Sequence, residues 1–203
     1  MDNKDSYNKI CEKWHEFRQH TEINPCIVSF VENLPSRSKV LDIGCGTGYP
    51  IDAYLTSCGF QVTGIDISEE MIEKAKAMNL SGAVFLVRDL LHFLPSEKYD
   101  AVIAFDSLWH IAYDRQTEIY GMISSFVNVG GYFFFTHGKH DGQVVGTMFG
   151  EKFYYSALDK KTVHALLIQN GFSVISSVED YEDPITGDRE LMIVARKEKS
   201  YVI

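Results

Sequence analysis

Glycine occupies three alternate positions, Gly44, Gly46 and Gly48, directly after the strand-like run 39–43. Because glycine has no Cβ, the backbone can turn sharply there and a ligand can lie against it. Pro50 follows, at a position where proline favours the first turn of a helix. This order of strand, glycine turn and helix is typical of a mononucleotide-binding site, so we expect a nucleotide-like ligand.

Two better-known loops that bind phosphates fit this spacing poorly. A dinucleotide fingerprint requires glycine at its first, third and sixth positions, and the sixth position from Gly44 is Tyr49. A loop that cradles nucleoside triphosphates ends in Gly-Lys followed by Ser or Thr, and no lysine follows Gly48. Nucleotide hydrolysis therefore loses its main candidate site. Variants of the dinucleotide pattern exist, so an enzyme that binds NAD stays open as an alternative.

Two acidic residues near the glycines indicate the kind of ligand. Asp66 ends the second strand-like run, 18 residues after Gly48, where a carboxylate can accept hydrogen bonds from both hydroxyls of a ribose. Asp66 could also cap the next helix, but Ser68 is better placed for that. Asp42 precedes the glycines and adds a negative charge, which favours a cationic cofactor and repels a pyrophosphate.

The elements that must position these residues follow an alternating pattern. Consecutive apolar residues in the central runs are typical of strands covered by helices on both faces, so we predict a mainly parallel sheet. The last two runs are joined by 179–190, which contains turn residues at 183–184 and 186–188 and is too short for a helical crossover, so we predict a hairpin. We expect helices at 6–20 and 25–32 and strands at 39–43, 61–65, 83–87, 101–105, 132–136, 173–178 and 191–195.

Composition limits the class of protein. The 203 residues, 45% of them hydrophobic, suffice for a single domain over 1–203 with a buried core. The net charge of -9 disfavours nucleic acid as a partner, because a phosphate backbone would be repelled. No apolar run is long enough to span a membrane, so we expect a cytoplasmic protein without a membrane partner, as a monomer or a homodimer. The four cysteines are too dispersed for a zinc site or a disulfide framework, and no metal is expected.

The segment 42–48 matches the first motif of the class I S-adenosylmethionine-dependent methyltransferases. The chain resembles this family from about Tyr7 to Arg196. The resemblance implies an α/β fold, a Rossmann-like three-layer sandwich around a seven-stranded, mostly parallel sheet ordered 3-2-1-4-5-7-6 with an antiparallel edge hairpin. The family's first motif packs under the methionine part of the cofactor. The resemblance therefore implies S-adenosylmethionine as the cofactor.

The resemblance also assigns roles to individual residues. Asp66 would hold the ribose, Asp89 would lie near the adenine amino group, and helix residues before position 36 would form a lid (1–36) over the cofactor. Asp89 could instead cap the turn that follows it, and the aromatic stripe of the first helix could be plain packing. The implied cofactor-binding residues are Tyr7, Trp14, Asp42, Gly44, Cys45, Gly46, Gly48, Asp66, Ile67, Met71, Asp89, Leu90 and Phe105.

The acceptor side carries fewer signals. The Asn/Asp-Pro-Pro-aromatic signature of enzymes that methylate base or glutamine amino nitrogens is absent after Phe105, which disfavours nucleobase amino groups. His110 is a candidate general base, because the pKa of histidine lies near neutrality, although a structural histidine is the alternative. The stretch 137–157 is interpreted as an insertion near the acceptor site. The candidate substrate-binding residues are Trp109, His110, His137 and Tyr155.

The sequence thus predicts an enzyme that moves the methyl group of S-adenosylmethionine to a small-molecule acceptor by direct displacement. Such a transfer needs mainly positioning and exclusion of water, with a base only where the acceptor must lose a proton. Two alternatives are an oxidoreductase that binds an NAD-type nucleotide and a protein that binds S-adenosylmethionine without catalysis.

Overall fold

The structure, a computed structural model, describes residues 3–182 and 189–198. The helices in this part of the chain are α1 (Lys4–Gln19), α2 (Pro25–Val31), α3 (Ile51–Ser57), α4 (Glu69–Ala77), α5 (Glu118–Phe126) and α6 (Lys160–Gln169). The strands are β1 (Lys39–Ile43), β2 (Gln61–Asp66), β3 (Ala83–Val87), β4 (Tyr99–Ala104), β5 (Val127–His137), β6 (Gly142–Met148), β7 (Glu151–Ala157), β8 (Phe172–Tyr181) and β9 (Arg189–Lys197). Short 3₁₀ turns cover Leu90–His92, Leu108–His110 and Tyr113–Arg115.

Seven of the strands form one sheet in the order β3-β2-β1-β4-β5-β9-β8. The first five are parallel neighbours, whereas β9 pairs antiparallel with both β5 and β8. Since β8 and β9 are the sixth and seventh strands of this sheet in chain order, the predicted order 3-2-1-4-5-7-6 and its antiparallel edge are confirmed. The turn predicted at 183–188 lies outside the described residues.

The apolar runs are buried on both faces of the sheet. In β4, Val102 packs into a core with α5 and α6, while the next residue, Ile103, packs into a second core with α2 and α3. Leu41 and Val40 divide between the same two cores. Alternate side chains of a strand point to opposite faces, so both faces need a helical layer and the fold has three layers.

Local capping sets where two helices begin. The Ser68 hydroxyl oxygen accepts a hydrogen bond from the Met71 backbone nitrogen at 3.1 Å, so Ser68 is the N-cap of α4, as predicted. The Asn24 side chain accepts from the Cys26 backbone nitrogen at 3.0 Å and is followed by proline at the first position of α2. Pro50 is the N-cap of α3 rather than part of its first turn.

The stretch 137–157, interpreted from the sequence as an insertion, holds the antiparallel hairpin β6–β7 as a separate two-stranded sheet. Phe149 and Gly150 form its turn, both with positive φ. The hairpin docks through Phe153, which is fully buried against α1 and Met71, while Val144 and Val145 of β6 are exposed. The physical reason is the β-branched and aromatic content of both arms, which favours strands over a loop.

No helix in the described ranges combines the length and apolarity needed to span a membrane.

Candidate active site

A cavity opens at the carboxyl ends of β1, β2 and β4 and is covered by α1. This edge of a parallel sheet is where such folds bind their ligands. Twelve of the thirteen predicted cofactor-binding residues line it: Tyr7, Trp14, Asp42, Gly44, Cys45, Gly46, Asp66, Ile67, Met71, Asp89, Leu90 and Phe105. The structure therefore brings the predicted set together, apart from Gly48.

The glycine turn is held by the neighbouring strand β2. The backbone nitrogens of Gly44 and Cys45 donate hydrogen bonds to the Ile65 carbonyl oxygen at 2.8 and 3.1 Å. Gly44 and Gly46 have φ of +78° and +55°, a region that side chains with a Cβ disfavour. A Cβ on Gly44 would overlap the Cβ of Ser107, and one on Gly46 would lie 3.4 Å from the Trp14 indole nitrogen. Bare backbone thus forms the floor of the cavity.

Gly48 does not line the cavity, and its contact with the cofactor stays a prediction. A Cβ there would lie 3.1 Å from the Met78 sulfur and 3.3 Å from a Phe85 ring carbon. Gly48, with φ of +81°, instead lets the turn pack against α4 and β3. The alternating spacing did not separate this packing glycine from the two that face the ligand.

Asp66 is fixed by backbone donors. Its carboxylate accepts hydrogen bonds from the Gly46 nitrogen at 3.0 Å and from the Ser68 nitrogen at 2.8 Å. Burial raises the pKa of Asp66, and the bonds from Ser68, Gly46 and Ile67 counter that rise. The carboxylate therefore joins the glycine turn to the start of α4 and still borders the cavity.

Asp89 lines the cavity and also caps the 3₁₀ turn after it, which is the alternative considered from the sequence. One carboxylate oxygen accepts from the Leu91 nitrogen at 2.9 Å, and the other lies 2.8 Å from His92 Nδ1. A carboxylate has further lone pairs, so capping leaves capacity for a ligand. Contact with adenine stays a prediction.

The lining of the cavity carries more acid than base. Four aspartates, Asp42, Asp66, Asp89 and Asp106, face two arginines, Arg18 and Arg88. Burial raises the pKa of Asp42 to about 7, with the charge of Asp66 adding to the rise and Arg18 opposing it. A cationic ligand suits this balance better than a pyrophosphate does.

Helix α1 bridges the two sides of the cavity. On one side, Ser68 Oγ donates to Asn8 Oδ1 at 2.6 Å, and Lys74 pairs with Glu12 at 2.7 Å. On the other side, Lys9 pairs with Glu151 at 3.1 Å. The first pair of contacts reaches α4 and the last reaches β7, so α1 forms a roof tied at both edges. Its role as a lid stays a prediction.

Tyr7 of α1 reaches His110 across the cavity. The Tyr7 hydroxyl lies 2.8 Å from His110 Nε2, and His110 Nδ1 lies 2.7 Å from Asn3 Nδ2 and 2.9 Å from the Tyr154 carbonyl oxygen. Burial lowers the pKa of His110 to about 4, against a smaller opposing effect of Tyr154. His110 is therefore neutral at physiological pH, and its weak basicity argues against a strong general base.

A second cavity of about 420 Å³ lies between the hairpin β6–β7 and the 3₁₀ turn Leu108–His110. Trp109 and Tyr155 line it, together with His140, Asp141 and Val144. The Tyr155 ring lies 4.9 Å from the His110 ring, which borders the first cavity. The predicted substrate-binding residues Trp109 and Tyr155 thus line the second cavity, and His110, in ring contact with Tyr155, lines the first.

His137 does not line either of these two cavities, although its neighbour Gly138 lines the second, and its contact with a substrate stays a prediction. Its side chain is 0% exposed, with Nε2 at 3.2 Å from Gln116 Oε1 and Nδ1 at 2.7 Å from the Gly138 carbonyl oxygen. The two-residue period of β5 places His137 on the same face as Phe133 and Phe135, which belong to the core. That alternation was a signal in the sequence.

Several lining residues were missed, including Asn3, Arg18 and Ser107. Arg18 follows Trp14 by four positions and stacks over its ring at 5.5 Å, so the helical period extended from Tyr7 and Trp14 would have found it. Asn3 and Ser107 reach the cavity through long-range packing, for which the sequence carries no periodic signal.

Comparisons with known proteins agree with this geometry. The model of a family described as a methyltransferase domain matches residues 40–131. The chain is 31% identical to a ubiquinone biosynthesis O-methyltransferase of Chromobacterium violaceum over 144 residues, which are 65% of this chain and 60% of that protein.

Two crystal structures have a similar fold. One is magnesium protoporphyrin IX methyltransferase from Synechocystis with bound S-adenosylmethionine, at 21% identity and a TM-score of 0.72, covering 96% of this chain and 95% of the other. The other is 1,6-didemethyltoxoflavin-N1-methyltransferase of Burkholderia thailandensis, at 19% identity and a TM-score of 0.72, covering 97% and 87%. At these identities they show the fold alone.

The chain spans about 60% of the length of the ubiquinone biosynthesis O-methyltransferases that it matches. The matched family model begins in β1 and contains the glycine turn and Asp66, which form the floor of the cavity. Residues 40–131 therefore resemble a methyltransferase domain, and the strand order of the sheet and this floor of the cavity agree with that resemblance.

Proposed function

We propose that this protein transfers the methyl group of S-adenosylmethionine to a small-molecule acceptor by direct displacement. The observation that carries the proposal is a cavity at the carboxyl edge of the sheet that combines bare glycine backbone, a fixed ribose-type carboxylate at Asp66 and an excess of acidic side chains. A pyrophosphate fits such an acidic lining poorly, which weighs against the NAD alternative.

The cavity has features that suit this cofactor. Gly44 and Gly46 offer a cradle that a Cβ would fill, and the buried Ser107 hydroxyl has no hydrogen-bond partner among the described residues. An unsatisfied buried hydroxyl is costly without a ligand, so Ser107 is suited to bond one. Asp66 would hold the ribose, and the Arg18 guanidinium is suited to the methionine carboxylate. When bound, S-adenosylmethionine supplies a methyl group on a positively charged sulfur.

The acceptor would lie in the second cavity, against Trp109 and Tyr155, with its reacting atom toward His110. Aromatic walls favour a flat or apolar molecule. One relative is named a ubiquinone biosynthesis O-methyltransferase, and one protein of similar fold is named a magnesium protoporphyrin IX methyltransferase. These names support a small molecule as the acceptor class.

Tyr7 and His110 would act by positioning. A displacement at sulfur needs the acceptor atom in line with the methyl group and water excluded, which a roof and packed aromatic walls supply. Tyr7 and His110 form a neutral pair, since burial raises the pKa of Tyr7 and lowers that of His110. The pair can orient a polar hydrogen of the acceptor through the Tyr7 oxygen, without a charged base in the ground state.

Calorimetric titration of the protein with S-adenosylmethionine and, separately, with NAD tests the binding step. We expect S-adenosylmethionine to bind, NAD not to bind, and Asp66→Ala to weaken binding by about a hundredfold, because two charge-assisted bonds and the ribose contacts are lost. Exposed Asp5→Ala, whose side chain is in the first turn of α1, is the control. Binding of NAD in preference to S-adenosylmethionine would refute the proposal.

A screen with methyl-labelled cofactor against small-molecule extracts tests the transfer step, with protein and RNA fractions as controls. We expect label in the small-molecule fraction. Label in RNA or protein would overturn the acceptor class, and tight binding without any transfer would favour the non-catalytic alternative. The cytoplasmic location and the lack of a nucleic-acid partner stay predictions from composition.

A further inference from the structure

A second buried acid lies directly behind Asp42. Asp52, in the first turn of α3, is 0% exposed, and neither of its carboxyl oxygens has a hydrogen-bond donor among the described residues. Its carboxyl group lies beside that of Asp42, which is 2% exposed and borders the cavity. Two acceptors in contact can form a hydrogen bond only if one of them holds a proton.

The surroundings decide where that proton resides. Asp42 faces Asp66 of β2, Cys45 of the glycine turn and Arg18 of α1, and the last of these stabilises its charge. For Asp52, burial and the Asp42 carboxyl are the causes of a strongly raised pKa. A negative charge is less stable on the more enclosed carboxyl group, because it is further from water. Asp52 therefore keeps the proton and Asp42 ionises.

We propose that Asp52 is a positioning residue for the cofactor: it donates a shared proton to Asp42, so that the pair presents one negative charge to the cationic end of the ligand. The inference rests on the proposed function, since it takes S-adenosylmethionine as that ligand. The proton does not leave the pair during methyl transfer, and no bond to the cofactor is formed.

A pH dependence follows from the pair. Above a pH of about 7 Asp42 is ionised and attracts the ligand's positive charge; as the pH falls through that value, the pair gains a second proton and becomes neutral. Binding of the cation therefore weakens on acidification. The affinity for a ligand with the same adenosine but no positive charge should not depend on the protonation of the Asp42–Asp52 pair.

The first test is titration of the full chain with S-adenosylmethionine and with methylthioadenosine. Methylthioadenosine keeps the ribose and adenine but lacks the sulfonium charge and the α-amino and carboxylate groups of the methionine part. Between about pH 7.5 and about pH 5.5 we expect the affinity for S-adenosylmethionine to fall roughly tenfold, and that for methylthioadenosine to change less than about twofold. A parallel fall for both ligands would indicate Asp66, which faces the shared ribose, and would overturn the inference. A flat profile for S-adenosylmethionine would also overturn it.

The matched variant is Asp52→Asn, whose amide can donate to Asp42 without a shared proton. We expect it to bind S-adenosylmethionine about equally well at both pH values, since Asp42 then stays charged to lower pH. A variant that keeps the wild-type fall would overturn the proposal. Asp42→Asn should lose both the pH dependence and much of the affinity.

If Asp52→Asn does not fold, proton release by the wild type decides instead. Near pH 6.5, about half a proton or more should be released per S-adenosylmethionine bound, measured from heats in buffers of different ionisation enthalpy, and almost none with methylthioadenosine. Absence of release would overturn the inference. Failure of S-adenosylmethionine to bind a folded protein at any pH would refute the proposed function itself, which is distinguishable from pH-independent binding.

Discussion

The floor and the roof of the cavity are built in different ways. The floor consists of backbone that is hydrogen-bonded to β2, with the Gly44 nitrogen donating to the Ile65 carbonyl oxygen and the Gly46 nitrogen donating to the Asp66 carboxylate. The roof, α1, is fastened at its edges largely by side chains, and in the pair of Lys9 with Glu151 the lysine is 62% exposed. Exposed ion pairs stabilise a contact by only about 0–1 kcal/mol. The comparison indicates a floor fixed by hydrogen bonds within the sheet and a roof whose edge ion pairs are weak, so that the roof is held mainly by the buried packing of α1 on Met71 and Phe153.

The largest expected effect is from Gly44→Ala. A Cβ at φ of +78° is strained and also overlaps the Cβ of Ser107, so the floor must shift. We expect the cofactor affinity, measured by calorimetry, to fall more than about a hundredfold. Gly59→Ala is the matched control, because it has φ of +83° but nothing within 4 Å of the added Cβ. Equal losses in both variants would contradict a floor shaped by close approach.

The variant Gly48→Ala tests whether this glycine contributes to stability rather than to cofactor binding. The added Cβ would press on Met78 and Phe85 at a φ of +81°, so we expect the free energy of unfolding to fall by about 2 kcal/mol. Since Gly48 does not border the cavity, the affinity of the folded variant for the cofactor should stay within about threefold of wild type. Urea denaturation and calorimetry measure the two quantities, and a large affinity loss with unchanged stability would reverse our assignment.

His110, where the floor meets the roof, makes stability depend on pH. Its pKa is lowered to about 4 in the folded protein, so it takes up a proton on unfolding between that value and its ordinary 6.5. The contribution of His110 to the free energy of unfolding is complete above about pH 6.5 and is lost as the pH falls. Between about pH 7 and about pH 5 the free energy of unfolding decreases by about 2 kcal/mol.

Urea denaturation of wild type and His110→Gln at these two pH values measures this effect. The variant should lose less stability than wild type on acidification. Exposed His20→Gln should keep the wild-type difference. An unchanged difference in His110→Gln would show that this histidine is not held neutral.

The smallest expected effect is at the edge of the roof. Lys74→Gln removes the ion pair with Glu12, so we expect a stability change below about 1 kcal/mol but cofactor dissociation about twofold to threefold faster. Lys39→Gln breaks a comparable exposed pair with Glu97 at the other end of β1. Stopped-flow dissociation should distinguish the two variants, and equal rates would argue that α1 does not retain the ligand.

The floor of the cavity could be predicted from the sequence, whereas the contacts of the roof could not. The floor is local, since Asp42, the glycines and Asp66 stand at fixed spacing in strands whose order follows from topology. The sequence analysis interpreted 137–157 as an insertion without predicting the hairpin β6–β7, although Val144, Val145 and the aromatic run of β7 have strand propensity. Its docking through Phe153 onto α1 depends on contacts far apart in the chain.

Individual side chains show the limits of motif reasoning. Gly48 belongs to the motif by spacing, yet only its neighbours Met78 and Phe85 reveal that it serves packing. Asn3 joins the Tyr154 backbone and His110 across more than a hundred residues of chain, and no pattern in either segment announces the contact. Asp52 is an ordinary helix residue in the sequence, and its chemistry arises from burial beside Asp42.

The attachment of α1 at both of its edges has a consequence for speed. Tyr7 and Trp14 of α1 cover the cavity, so we expect a ligand to enter and leave only when this helix moves aside. Movement of a helix through water is slowed by solvent friction, whereas the displacement reaction at sulfur is not. If the proposed methyl transfer occurs, its turnover number should therefore decrease in sucrose or glycerol roughly in inverse proportion to solvent viscosity.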